Sequence, residues 1–154
     1  MAAIAPEPAR APAALYQGFD MSVSDLDDAP TPRGELALQT VAMPKDTNAN
    51  GDIFGGWLLS QMDIAGSITA RKLARGRVAT VAVDSMAFYT PVQVGAVVSC
   101  YTDVLEIGRS SMRINVEVWK TLSDDFEPIK VTEGEFVFVA IDARGRTRQV
   151  PTQG

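Results

Sequence analysis

The sequence predicts an α+β protein in which one long helix is wrapped by a curved antiparallel sheet of about five strands. Three observations predict it. The stretch Asn48 to Gly76 carries apolar residues at helical spacing. Segments on both sides of it alternate or are β-branched in the manner of strands. The later strands are separated by short turns rich in Gly, Asp or Pro, as consecutive antiparallel hairpins require. One helix cannot cover both faces of five strands, so the sheet is expected to curl around it. Its long edges then invite pairing with a second protomer.

Residues 1 to about 33 are rich in Ala, Pro and acidic residues and show no periodicity, which reads as a flexible tail. No charged start followed by an apolar block is present, so a cytoplasmic protein is expected. The folded domain is expected over 34–151. Its first strand is Glu35 to Met43, with Leu36, Leu38 and Thr40 on one face and Pro44 as its stop. The loop Asp46 to Asp52 (DTNANGD) matches the start of a calcium-binding loop. That loop needs a bidentate Glu at its twelfth position, where this chain has Trp57. An Asx-rich turn feeding the helix accounts for the same residues.

Along the helix, Leu59, Met62, Gly66, Ala70 and Leu73 mark the packed stripe. Gly76, after Arg71, Lys72 and Arg75, is the expected C-terminal stop, with cations facing the last carbonyls. Asp63 is the anomaly, because it falls on the side expected to pack. An ionised carboxylate there must be paired, hydrogen-bonded or wet. The residues alone leave two readings open: a structural aspartate at a protomer interface, or a catalytic one.

Four strands follow: Arg77 to Tyr89, Ala96 to Ile107, Ser110 to Thr121 and Ile129 to Asp142. Gly108-Arg109 forms one hairpin tip and Ser123 to Pro128 the other. In the third of these strands, Met112, Ile114, Val116 and Val118 alternate with Arg113, Asn115, Glu117 and Trp119. Cys100 reads as a small core residue, and Asp84 as a structural hydrogen-bonding group. Trp57 and Phe54 read as packing residues.

Composition excludes much chemistry. The 154 residues contain no histidine and one cysteine. There is no Ser-His-Asp triad, no imidazole acid or base, no disulfide and no multi-cysteine metal site. No metal or cofactor is expected. A net charge of −5 argues against nucleic acid as the main partner, and no apolar run is long enough to span a bilayer. Chemistry must rest on carboxylates, hydroxyls, cationic side chains or backbone N–H groups.

Four separated motifs, NANGDIFGGWLLSQMD, VAVDSMAFYTPVQVG, GRSSMRINVEVW and TEGEFVFVAID, closely resemble the hotdog-fold acyl-CoA thioesterases, in particular their bacterial YciA-like branch. The resemblance spans about Gly34 to Pro151. It implies the hotdog fold, hydrolysis of acyl-CoA thioesters, and a homodimer as catalytic unit, often assembled as a trimer of dimers. It makes Asp63 the general base or nucleophile and the Gly55 and Gly56 amides the donors that polarise the thioester carbonyl. Asp52 stands where related two-domain enzymes carry Asn and is a weaker catalytic candidate. Arg109, Ser110 and Ser111 fall in a segment that contacts CoA, and Trp57 is placed near the acyl channel. Ala96 departs from the family's usual acidic residue, in a turn. A non-catalytic acyl-CoA-binding module of the same fold is the alternative reading. A dehydratase of this fold would require the histidine that is missing.

Helix geometry adds one expectation. Asp63 lies seven to eight residues beyond the glycines, about 10–12 Å along the axis. Both cannot act on one carbonyl, so each site should combine Asp63 of one chain with Gly55 and Gly56 of its partner.

Overall fold

A computed structural model describes residues 30–122 and 125–154, with the backbone alone at 125 and 126. Most of the expected tail therefore lies outside the described residues. Its last residue is not loose: the Arg33 N–H and Nε donate to the buried Glu117 carboxylate at 3.1 and 3.2 Å. In order, the elements are β1 (Glu35–Val41), a 3-10 turn (Pro44–Asp46), α1 (Gly55–Ala74), β2 (Val78–Phe88), β3 (Val97–Ile107), β4 (Ser111–Leu122) and β5 (Asp125–Ala140). The five strands form one sheet, in the order β1-β3-β4-β5-β2, with every neighbour antiparallel. α1 touches all five, as a sheet curled around a helix requires. The α+β hotdog expectation holds.

One connection differs from the expected run of hairpins. β2 and β3 do not pair; β2 lies at the far edge beside β5, and β3 beside β1. The chain from Tyr89 to Ala96 crosses the end of the sheet instead. It is fixed at one end by Tyr89 N–H to Val131 O and at the other by Gly95 N–H to Ala42 O, both 2.8 Å. β5 also begins earlier than expected. Pro128, read as a turn residue, sits where the β4–β5 register slips between Lys120 and Leu122, a bulge that tolerates a residue without an N–H. The tip residues Ser123 and Asp124 lie outside the described residues.

The core forms between α1 and the inner face of the sheet. Met112, Ile114, Val116 and Val118 are fully buried there with Phe136 and Phe138. The alternate positions Asn115, Glu117 and Trp119 are buried too. Glu117 explains part of this, since it accepts from Trp119 Nε1 and pairs with Arg33 and Lys130. In β1 a bulge at Ala37 breaks the expected phase: Leu38 packs inward, while Leu36 is 51% exposed.

The helix begins at the expected glycine entry, after the Asx turn, but its buried stripe is rotated relative to the expectation. Asn48 to Phe54 is loop, because the Asn48 side chain accepts from the N–H groups of Asn50 and Asp52 and closes an Asx turn. The buried stripe is Leu58, Met62, Ala65, Gly66, Ala70 and Ala74. Leu59 and Ile64, 36% and 46% exposed, lie off it. At the far end the left-handed residue is Arg75 (φ 52°), not Gly76. Gly76 leaves room for a side chain instead: a Cβ there would come within 2.8 Å of Arg148 Nη2, which caps the Ala74 carbonyl, and would displace that guanidinium.

Candidate active site

The entrance to α1 is an exposed positive end. Thr47 and Ile53 form a small bridge, Phe54 N–H donates to Asp46 O, and Ile53 N–H donates to Val92 O at 3.0 Å. These bonds fix the loop up to Phe54, the N-cap, which is extended and offers no capping side chain. Asp46 is structural, its carboxylate accepting from Met43 N–H at 3.4 Å. Trp57 N–H bonds to Phe54 O. The N–H groups of Gly55 and Gly56 donate to nothing among the described residues, and the first turn carries no acid. Most helices satisfy such donors with a Ser, Thr or Asp cap. Open donors at the positive end of a helix dipole are chemically able to donate hydrogen bonds to negative charge on a bound group.

Two turns further on, Asp63 is half-buried rather than packed, on the same side as Leu59 and Ser60. Thr80 Oγ1, from β2, donates to Asp63 Oδ1 at 2.6 Å. Gly56, Leu59, Ser60, Asp63, Thr80, Val83 and Phe136 line a cleft of about 330 Å³. One end is therefore apolar and the other holds a carboxylate with one oxygen engaged. Gly55 opens instead onto a second cleft, of about 250 Å³, walled by Ile53, Leu58 and the Phe88–Val92 segment. Gly56 and Asp63 share a wall, yet seven residues of helix separate them by about 10 Å along the axis.

The remaining sequence candidates fall elsewhere. Asp52 sits in the entrance loop, where its N–H and carbonyl both bond to Asn48. Its charge acts on Lys120, a fully buried lysine that donates to Pro91 O at 2.5 Å and Gln93 Oε1 at 2.9 Å. Burial pushes the Lys120 pKa down, and Asp52 opposes that shift. Lys120 thus clamps the crossover segment whose Val92 carbonyl holds Ile53. Arg109, Ser110 and Ser111 lie at the opposite end of the helix. Arg109 O accepts from Val150 N–H and Ser110 O from Ala140 N–H, beside the Arg148 that caps α1. Trp57 packs partly against the core. Asp84 is an ion-pair partner of Arg113 at 3.4 Å. Cys100 is buried and its thiol is pushed up to about 12 by burial, as a core residue should be.

Thr80 and Phe136 were not singled out from sequence. Thr80 lies in a strand where a β-branched residue needs no explanation, and only the fold brings it to Asp63. Among the described residues no cluster of carboxylates, His or Cys could hold a metal ion, and no helix is long and apolar enough to cross a membrane.

The thioesterase superfamily profile matches residues 50–122. The acyl-CoA thioester hydrolase YciA of Salmonella typhimurium is 54% identical over 127 residues, covering 80% of this chain and 96% of the relative. A hexameric thioesterase from Yersinia pestis is 53% identical with a TM-score of 0.77, covering 80% of this chain and 100% of that one. A hexameric broad-specificity acyl-coenzyme A thioesterase is 51% identical with a TM-score of 0.77, covering 82% of this chain and 88% of that one.

Proposed function

The chain belongs to the thioesterase superfamily, among the acyl-CoA thioester hydrolases of the YciA kind, and on that footing we propose how its own residues hydrolyse the thioester. It is an acyl-CoA hydrolase. Asp63 is the general base: Thr80 holds Oδ1, and Oδ2 takes a proton from a water in the cleft. The hydroxide attacks the thioester carbonyl carbon, and the oxyanion is held by the free Gly55 and Gly56 N–H groups. Collapse breaks the C–S bond, and the thiolate leaves with the proton from Asp63. Leu59, Val83 and Phe136 line the path of the acyl chain.

Each site is completed by two chains, Asp63 from one and the helix entrance from the other. The axial gap between the two groups is the observation that carries this reading. A second supports it: the face beside Asp63 and the free edge of β2 expose Leu59, Ile64, Val81, Val83 and Phe88. A second copy laid across that edge covers them and extends the sheet. A trimer of such dimers is proposed by analogy with the hexameric relatives. A binding module without catalysis would have no use for a carboxylate oriented into the cleft by Thr80.

Hybrid dimers test the composite site. Asp63→Ala paired with Gly55→Pro leaves one site with both lesions and one with neither, so hybrids should keep about half the wild-type turnover. Inactive hybrids would contradict the proposal.

A further inference from the structure

A lysine stands where the core stripe of β4 would continue. Met112, Ile114, Val116 and Val118 are buried on alternate residues, and Lys120 follows in the same phase, fully buried. Lysine is almost never buried to this extent without a carboxylate partner, because the core solvates an ammonium far worse than water does. The Lys120 Nζ donates instead to two uncharged acceptors, Pro91 O at 2.5 Å and Gln93 Oε1 at 2.9 Å. An apolar side chain of the same length would extend the core at lower cost. The charge therefore calls for a use.

Both acceptors belong to the crossover from β2 to β3, and they flank Val92. Val92 is itself fully buried, and its carbonyl accepts from Ile53 N–H at 3.0 Å. Ile53 stands two residues before Gly55, where α1 begins. A series of bonds thus runs from β4, where Lys120 is paired with Val98 on one side and Ile129 on the other, through the crossover to the start of the helix. The helix entrance has few other ties: Phe54 N–H bonds to Asp46 O at 3.2 Å, and no side chain caps the first turn. Pro91 and Val92 also wall the cleft onto which Gly55 opens, so the segment that Lys120 holds and the free amide border one space. Burial disfavours the ammonium form of Lys120, and the charge of Asp52, next to Ile53 in the chain, opposes that loss.

We propose that Lys120 is a positioning residue for the oxyanion site, gripping Val92 by its two neighbours so that Val92, through Ile53, aims the Gly55 and Gly56 N–H groups at the thioester carbonyl; the proposal rests on the hydrolase reading above. Oxyanion donors act most strongly when their direction is fixed before the charge develops. A misplacement of about 1 Å at such a group costs up to about a hundredfold in rate. Charge-assisted bonds hold a carbonyl more firmly than neutral ones, which accounts for an ammonium where a methyl group would pack more cheaply.

Lys120→Met keeps the length of the side chain and removes both bonds. For butyryl-CoA, kcat should fall about tenfold with KM within about twofold, and Tm should hold because an apolar core offsets the lost bonds. A purely structural lysine would do the reverse, lowering Tm and leaving kcat of the folded protein alone. The loss should also shrink where its target is already gone: added to Gly55→Pro, Lys120→Met should cost less than about threefold more. Gln93→Leu removes one of the two bonds from a half-buried position and should lower kcat about threefold, which decides the matter if Lys120→Met does not fold. Hydrogen exchange gives a readout that needs no turnover. In Lys120→Met the Ile53 and Phe54 amides should exchange at least about tenfold faster, with those of β3 and β4 unmoved. An unchanged kcat, a full tenfold loss on top of Gly55→Pro, or unaltered exchange at Ile53 would overturn the proposal. If the wild type releases no thiol, the hydrolase reading fails, and exchange at Ile53 alone decides whether Lys120 fixes the helix entrance.

Discussion

Replacing Gly66 by Ala tests how closely the helix is seated on the sheet. Gly66 lies mid-helix on the buried stripe. A Cβ there would come within 2.7 and 2.8 Å of Phe138 Cζ and Cε2, and 3.5 Å of Val116 Cγ2. Real Cβ atoms do not approach ring carbons so closely, and the Phe138 ring has little room to withdraw. It is fully buried and stacked on Phe136 at 6.2 Å between centroids. Against this, Ala favours a helix interior over Gly by about 1 kcal/mol. Overpacking of a filled core costs about 1–3 kcal/mol, so the net expectation is a loss of up to about 2 kcal/mol. At about 4 °C per kcal/mol for a domain of this size, Tm should fall by up to about 8 °C. Phe136 lines the Asp63 cleft, so a displaced Phe138 should also change KM for short against long acyl chains. Calorimetric melting of both proteins at neutral pH is the assay. A raised Tm would refute the reasoning, since it would mean that the helix and ring separate without cost.

Three further substitutions probe the site and the frame. Gly55→Pro deletes one proposed oxyanion donor while suiting the first helical position, and Phe54 at ψ 147° already has the conformation a following proline demands. Folding should survive and kcat should fall about 100-fold, as for loss of other oxyanion donors; an unchanged kcat would remove Gly55 from the mechanism. Thr80→Val keeps the shape but frees Asp63 Oδ1, and the loss of this solvent-exposed bond should cost about 1 kcal/mol, roughly fivefold in kcat, with KM unmoved. A change in KM alone would assign Thr80 to substrate binding. Burial tends to raise the Glu117 carboxyl, but hydrogen bonds from Trp119 and Arg33 and the charge of Lys130 outweigh it and hold the carboxyl below its usual range. A depressed folded-state pKa gives stability that is present above the unfolded value of about 4.3 and is lost as pH falls through the folded value. Urea midpoints measured from pH 6 to 3 should therefore drop more steeply in the wild type than in Glu117→Gln, and parallel curves would show that Glu117 contributes nothing to acid sensitivity.

Much of this was legible in the sequence, for reasons that differ by element. The period of α1 and the alternation of β4 are local signals, and both elements form where those signals place them, although the buried stripe of α1 is rotated. The Asx turn at Asn48 was readable because its side chain bonds only to nearby backbone. Non-local arrangements were less accessible. The crossover from β2 to β3 depends on which strand each meets in space, and nothing between Tyr89 and Ala96 records it. Leu59 scored as core because periodicity cannot distinguish a face packed on the sheet from one left for a partner. The same ambiguity put Asp63 on a packed side. Gly76 was read as the C-terminal stop and stands there, but the room it leaves for Arg148, a residue more than seventy positions away, is a non-local fact.

The account stands most directly on the role of Asp63. Thiol release from acyl-CoAs of increasing chain length should be measured for the wild type and for Asp63→Asn in parallel, with folding verified by melting. The account predicts turnover by the wild type that falls by at least about a thousandfold in the variant, with substrate still bound. Turnover that survives the substitution, or tight acyl-CoA binding without release by either protein, would contradict it.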